Sequence, residues 1–159
     1  MSFTAVNPVP FGPAEDCFEQ PQDWLAEDSK TWKKGEFGYL TSGTVTPVST
    51  TGKTDVFCQF CEDQDSATST SSVKIRRLKP GGKWVMFVQK DGTASAVGAS
   101  NKGVKYGAES ISASNVTYLD LGTSSGQFQV VSLASEIWPT RHGASDSPGV
   151  AICEFGAVS

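Results

Sequence analysis

Val73-Lys74-Ile75-Arg76-Arg77-Leu78, Lys79-Pro80-Gly81-Gly82, Lys83-Trp84-Val85-Met86-Phe87-Val88-Gln89 and Asp91-Gly92 follow one another almost without a break. From Val73 to Arg76 apolar and cationic side chains alternate. On an extended chain this places Val73 and Ile75 on one face and Lys74 and Arg76 on the other. The proline-glycine cluster that follows has the turn chemistry of a hairpin or a tight corner. Trp84 to Val88 is the most apolar stretch of the chain and reads as a core strand. Asp91-Gly92 is a second turn. Two strands, a corner and a turn in twenty residues announce a β-protein.

The same punctuation extends in both directions. Glu36 to Leu40 reads as a short strand ending at the Ser42-Gly43 turn. Thr44 to Val48 alternates, with Pro47 confining it to an edge. Thr51-Gly52-Lys53 is a turn before Val56 to Cys61, a strand partly buried on both faces. Asp63 to Ser72 has no apolar residue larger than alanine and reads as a surface loop. Gly98 to Gly107 is turn-rich, and further strands are expected at Thr117 to Leu121, Phe128 to Leu133 and Gly149 to Phe155. Trp138-Pro139 to Pro148-Gly149 reads as a loop. There is no exact internal repeat, but strand-turn units recur every ~10 residues, as small barrels and sandwiches require. The expected fold is mainly β, a small barrel or sandwich with at most one or two short helices.

Residues 1–34 differ from the rest. Pro8, Pro10, Pro13 and Pro21 exclude a continuous helix or a central strand. Phe3, Phe11, Phe18, Trp24 and Trp32 are more aromatic residues than a disordered linker carries. The segment therefore reads as an extended arm that packs its rings on something, ahead of a single β-domain at 35–159. Asp23 to Lys34 has room for one or two helical turns, with Asp23 as N-cap and Trp24 and Leu25 facing inward.

At 159 residues the chain suits one domain with its own core. Only 38% of residues are apolar, and Gly, Ser and Thr fill the difference, which favours short strands over long helices. A net charge of −4 disfavours nucleic acid as the main partner, because phosphate neutralisation needs excess cation. No apolar run approaches the ~20 residues of a membrane helix. The sequence starts without the basic and apolar regions of a signal peptide, so a cytosolic product is expected. Cys17, Cys58, Cys61 and Cys153 are then expected to be reduced thiols.

Each near-motif for chemistry fails on a geometric requirement. Thr50-Thr51-Gly52-Lys53-Thr54 matches the end of a phosphate-binding loop, but Pro47 stands where its first glycine belongs and a strand follows instead of a helix. Cys58-x-x-Cys61 lacks a second ligand pair, and residues three apart on a strand point to opposite faces. His142, the only histidine, lies near Ser145 and Asp146, but no nucleophile elbow accompanies them. Neighbouring acidic residues sit in expected loops, without the spacing of a calcium loop or the cleft of a glycosidase. No catalytic residue, metal or cofactor is assigned. The one charge cluster, Lys74, Arg76, Arg77, Lys79 and Lys83, reads as a solvated edge or as a docking surface for an acidic partner.

The order of these features resembles the small capsid decoration (cement) proteins of tailed bacteriophages. The likeness rests on an aromatic arm, Lys33-Lys34-Gly35-Glu36, then Leu40-x-Ser42-Gly43-Thr44-Val45-Thr46-Pro47-Val48, Val73-Lys74-Ile75 and Leu78-x-Pro80-Gly81. It covers roughly Lys33 to Val88, with a vaguer echo in Gly103 to Leu133. The Asp63 to Ser72 loop and the Cys58/Cys61 pair lie outside it. The resemblance implies a structural, non-enzymatic virion protein made in the host cytoplasm. Such a protein sits on the outer capsid surface, commonly as a homotrimer, and bridges major capsid subunits. No nucleic acid, membrane or small-molecule substrate is implied. The partner-binding residues expected on this reading are Phe3, Phe11, Trp24, Trp32, Lys74 and Arg76. The rival expectation is a carbohydrate- or receptor-binding β-module of a tail or spike, with exposed Trp138 or Tyr106 as a stacking platform.

Overall fold

The computed structural model describes residues 5–67, 71–110 and 116–156. Twelve strands occur among them. They are β1 (Val9–Pro10), β2 (Gln22–Leu25), β3 (Phe37–Thr41), β4 (Thr44–Pro47), β5 (Cys58–Phe60), β6 (Ser72–Arg77), β7 (Lys83–Lys90), β8 (Thr93–Ala94), β9 (Lys105–Ser110), β10 (Thr117–Ser124), β11 (Phe128–Leu133) and β12 (Val150–Phe155). One α-helical turn, α1 (Ala134–Ile137), follows β11. The protein is mainly β, as the alternation and turn chemistry require.

The strands form two sheets, and each one curls back on itself. In the first, the order β7-β10-β9-β11-β12 returns to β7, because β12 also pairs with β7 from Val150↔Phe87 to Glu154↔Lys83. β1 and β8 attach to the same strand. The second runs β2-β6-β5-β3-β4. Just past β2, Ala26 bridges Val45 of β4, and the Glu27 N–H donates to the Val45 carbonyl at 2.9 Å. Closure of this kind removes the free edges that invite aggregation.

Lys79 to Gly82 is the corner between the sheets, since β6 belongs to the second and β7 to the first. Ser42-Gly43 and Asp91-Gly92 are two-residue hairpin loops. All four residues take positive φ (49° and 86°, then 49° and 81°), as the type I′ turn demands.

β7 organises the main core. Its inner face carries Trp84, Met86 and Val88, packed with Phe37, Leu119, Phe128, Ala151 and Cys153. Phe37 meets Trp84 edge-on at 5.2 Å and stacks on Phe128 at 5.4 Å. Its outer face carries Phe87, which packs with Tyr118, Ala134 and Val150 beneath Trp138. A strand buried on both faces reads as an unbroken apolar run, which is what Trp84 to Val88 shows. β6 is buried on one face only: Val73 and Ile75 enter a second cluster with Trp32, Val45, Cys58 and Phe60, while Ser72, Lys74 and Arg77 are exposed. Burying an Ile or Phe of this kind contributes about 1.5–3 kcal/mol.

Two local expectations are corrected. The turns expected within Asp23–Lys34 are not helical: β2 covers Gln22–Leu25 and pairs with β6 from Gln22↔Ile75 to Leu25↔Ser72. A strand sends Trp24 and Leu25 to opposite faces, so Leu25 is 52% exposed instead of facing inward. Asp23 binds the Lys74 ammonium at 3.0 Å and caps nothing. The turn-rich stretch ends earlier than Gly107, because β9 begins at Lys105 and lies between β10 and β11.

Candidate partner-binding face

The described part of the proline-broken segment is laid along the body in cis. The Phe11 N–H donates to the Lys83 carbonyl at 2.8 Å, and Val9 and Pro10 stand opposite Val85 and Trp84. In that register the N–H groups of residues 9 and 11 point toward β7. The outward positions fall on Pro8 and Pro10, which have no N–H to give. The outer edge of β1 therefore cannot donate to an added strand.

Two amide side chains fix this segment. The Gln59 amide on β5, itself buried, donates to the Pro8 and Gly35 carbonyls, both at 3.0 Å. Asn7 accepts the Thr117 N–H at 2.8 Å and donates to the Lys34 carbonyl at 3.4 Å. Gln59 of the second sheet and Thr117 of the first thus both bind the N-terminal segment. Val6 and Val9 remain 51% and 45% exposed on it.

Arg76 lies beside this segment on β6. Its guanidinium covers the Phe18 ring at 3.8 Å, a cation–π contact. Its Nε–H is buried and makes no hydrogen bond, and no ion pair to it occurs among the described residues. The same side chain lines two hollows of about 520 Å³ each. The first contains Glu15, Glu19 and Lys79 besides Arg76, so its charges offset one another. The second has Val6, Pro8, Val9 and Val116 as walls and Lys34 and Arg76 as its charges, with no carboxylate. The Cys61 thiol is raised by burial, an effect that the Arg76 guanidinium partly opposes through its charge and a side-chain hydrogen bond, although its Nε–H has no partner.

The other expected contact residues are scattered. Phe11 is 36% exposed and meets Trp138 edge-on at 5.9 Å. Trp24 is half-buried against Phe57 at 5.3 Å. Trp32 is 0% exposed, stacks on Phe60 at 4.4 Å and donates its indole N–H to the Glu62 carbonyl at 3.0 Å, so its ring serves the core. Lys74 is exposed and paired with Asp23, a contact that raises its pKa. Phe3 lies outside the described residues. Val9, Phe11 and Arg76 surround the N-terminal segment, whereas Trp24 and Lys74 stand at the β2–β6 pairing. Tyr106, one of the two platform residues of the rival reading, is buried, and its hydroxyl accepts from the Asn101 amide at 2.8 Å.

The near-motifs resolve into structure. A side chain at Gly52 would meet Thr123 and Asp120, and Lys53 pairs its backbone with Ala108 while its ammonium covers the Tyr39 ring at 4.6 Å. No helix follows Lys53. All four cysteines are free thiols, and burial pushes those of Cys58 and Cys153 far up. Asp146 accepts the Gly143 N–H within its own loop. Among the described residues, no three His, Cys, Asp or Glu side chains gather to hold a metal ion, and no helix is long and apolar enough to cross a membrane.

One polar group is invisible in the sequence. Gln89, Glu109 and Asp120 lie on one face of the adjoining strands β7, β9 and β10, and all three are buried. Asp120 accepts N–H bonds from Asp91 (3.2 Å) and Gly122 (2.9 Å) and a hydroxyl bond from Thr123. Glu109 accepts the Gly92 N–H at 2.7 Å. Burial, then the nearby Asp120 and Asp91 charges, hold the Glu109 pKa up against that bond. These carboxylates tie the β7–β8 turn to the sheet, and they line neither hollow.

No protein-family model matches the chain, and no curated protein matches it at a significant level.

Proposed function

We propose that the chain is a structural virion protein that binds the outer surface of a phage capsid and stabilises it by bridging major capsid subunits, acting as a homotrimer. The observation that carries this reading is the N-terminal segment. Gln59 and Asn7 hold it in place before any partner arrives, its Val6 and Val9 are left exposed beside an Arg76 that has no ion pair among the described residues, and Phe11 further along it is partly exposed at the edge of Trp138. Ordering cost is thus met during folding, which favours binding by a preformed surface. Exposed apolar side chains next to an unneutralised cation are features of an interface and do not form a reaction centre. The turn-and-strand likeness to decoration proteins supplies the partner, the capsid.

Purified protein mixed with undecorated heads should co-sediment with them and raise the temperature at which they open, and native mass measurement should give a trimer. A protein that stays in the supernatant of heads while binding glycans through Trp138 would replace this reading with the tail-module one.

A further inference from the structure

We propose that the hollow between the N-terminal segment and β6 takes a carboxylate-bearing extended segment of the partner, held by Arg76 and Lys34 with apolar side chains on either side of the acid. This deepens the reading of that face as the binding surface and rests on it. The occupant follows from what the hollow offers. Its walls are mostly valine and proline with the amides of Asn7 and Gln59, its two charges are both positive, and it contains no carboxylate of its own. Among the described residues Arg76 has no ion pair, and its Nε–H is buried without a hydrogen-bond partner. A buried donor left unpaired costs stability, and an incoming carboxylate would recover that cost while accepting a charge-assisted bond. The Phe18 ring holds the guanidinium at 3.8 Å, so the cation is in place before the ligand arrives.

The same geometry excludes the commonest alternative for a peptide at a strand edge. The β1 edge along the hollow falls on Pro8 and Pro10, so no N–H is available to build a ladder. The occupant is therefore recognised through side chains, and its acid is the recognised group. The neighbouring hollow, in which Glu15 and Glu19 offset Arg76 and Lys79, presents no such excess of positive charge.

The test uses the full chain, labelled with nitrogen-15, and two capped pentapeptides: acetyl-Val-Glu-Val-Asp-Val-amide and its counterpart with lysine at both acidic positions. The acidic peptide should produce saturable shifts at Val9, Lys34, Gly35 and Val116 and at the Arg76 Nε–H, and the basic one should not. Arg76→Gln should weaken the acidic peptide about tenfold or more, the loss of a charged hydrogen bond. Lys34→Gln, on an exposed and structurally undemanding site, should weaken it about two- to fivefold. Lys74→Gln, outside the hollow, should leave it unchanged. Equal binding of the two peptides, or Arg76→Gln and Lys34→Gln both binding like the parent, would overturn the proposal. Head binding is measured separately with the same variants. Peptide binding without head binding keeps the hollow and removes the capsid as partner. Head binding that survives Arg76→Gln keeps the capsid reading and removes the hollow.

Discussion

Phe11 and Trp32 stand at opposite ends of one proline-broken segment, and their surroundings have little in common. Around Phe11 the chain lies on the outside of β7, pinned by two amide side chains and leaving Val6 and Val9 in solvent. Around Trp32 the chain enters the second sheet: β2 pairs with β6, Ala26 closes onto Val45, and the indole stacks on Phe60 out of water. Both ends carry aromatic residues, although the closely spaced prolines lie at the Phe11 end. The difference is that Trp32 has a cluster of Val45, Phe60, Val73 and Ile75 around it and is out of water, whereas Phe11 meets the edge of Trp138 and stays 36% exposed. A single segment thus divides its labour, folding at one end and presenting a surface at the other.

This contrast is broken or sharpened by substitution. Trp32→Ala removes a fully buried indole together with its hydrogen bond and should destabilise the protein by about 3–5 kcal/mol, read as a lowered denaturant midpoint. Trp24→Ala removes a half-buried ring and should cost about 1–2 kcal/mol by the same measurement. Phe11→Ala should cost at most about 1 kcal/mol, because its ring is partly in water. If Phe11→Ala proves as damaging to folding as Trp32→Ala, the division of labour is wrong.

The buried carboxylates give a further, smaller effect of pH. Burial raises Glu109 above the ordinary glutamate value of about 4.3. The folded protein therefore favours its neutral form. The stability this contributes is fully present below the unfolded value and is lost as pH rises through the raised folded value. Glu36, raised chiefly by burial, adds a decline of the same sign. Glu109→Gln should flatten the fall in melting temperature across that window while retaining an acceptor for the Gly92 N–H. An unchanged profile would show that Glu109 contributes no pH-dependent stability.

Much of the fold was legible because its signals are local. Alternation from Val73 to Arg76 marked β6 with its inward and outward faces, and the apolar run marked β7. Ser42-Gly43 and Asp91-Gly92 gave two hairpins, since few other residue pairs accept positive φ twice in succession. Sheet membership was hidden, because pairing is non-local: nothing in Lys79 to Gly82 says whether its flanking strands pair with each other or part. β9 was missed since Lys105-Tyr106-Gly107-Ala108-Glu109-Ser110 has the small and polar residues of a loop, and only its position between two strands makes it one. The site was half legible. Arg76 stood out by charge and strand phase. Its cation–π contact with Phe18 and the glutamine that braces the segment join residues 58 and 51 apart in sequence and leave no pattern. An aromatic residue in such a segment carries no sign of where its pocket is, which is why Phe11 and Trp32 both read as partner-binding residues.

The central claim is that the outer end of the N-terminal segment binds and the inner end folds. It is tested most directly by the affinity of Phe11→Ala for undecorated heads, with its melting temperature recorded on the same sample. The account predicts that affinity falls by about tenfold or more, as for an aromatic anchor at an interface, while melting shifts only slightly. Unchanged affinity with an unchanged fold would contradict it.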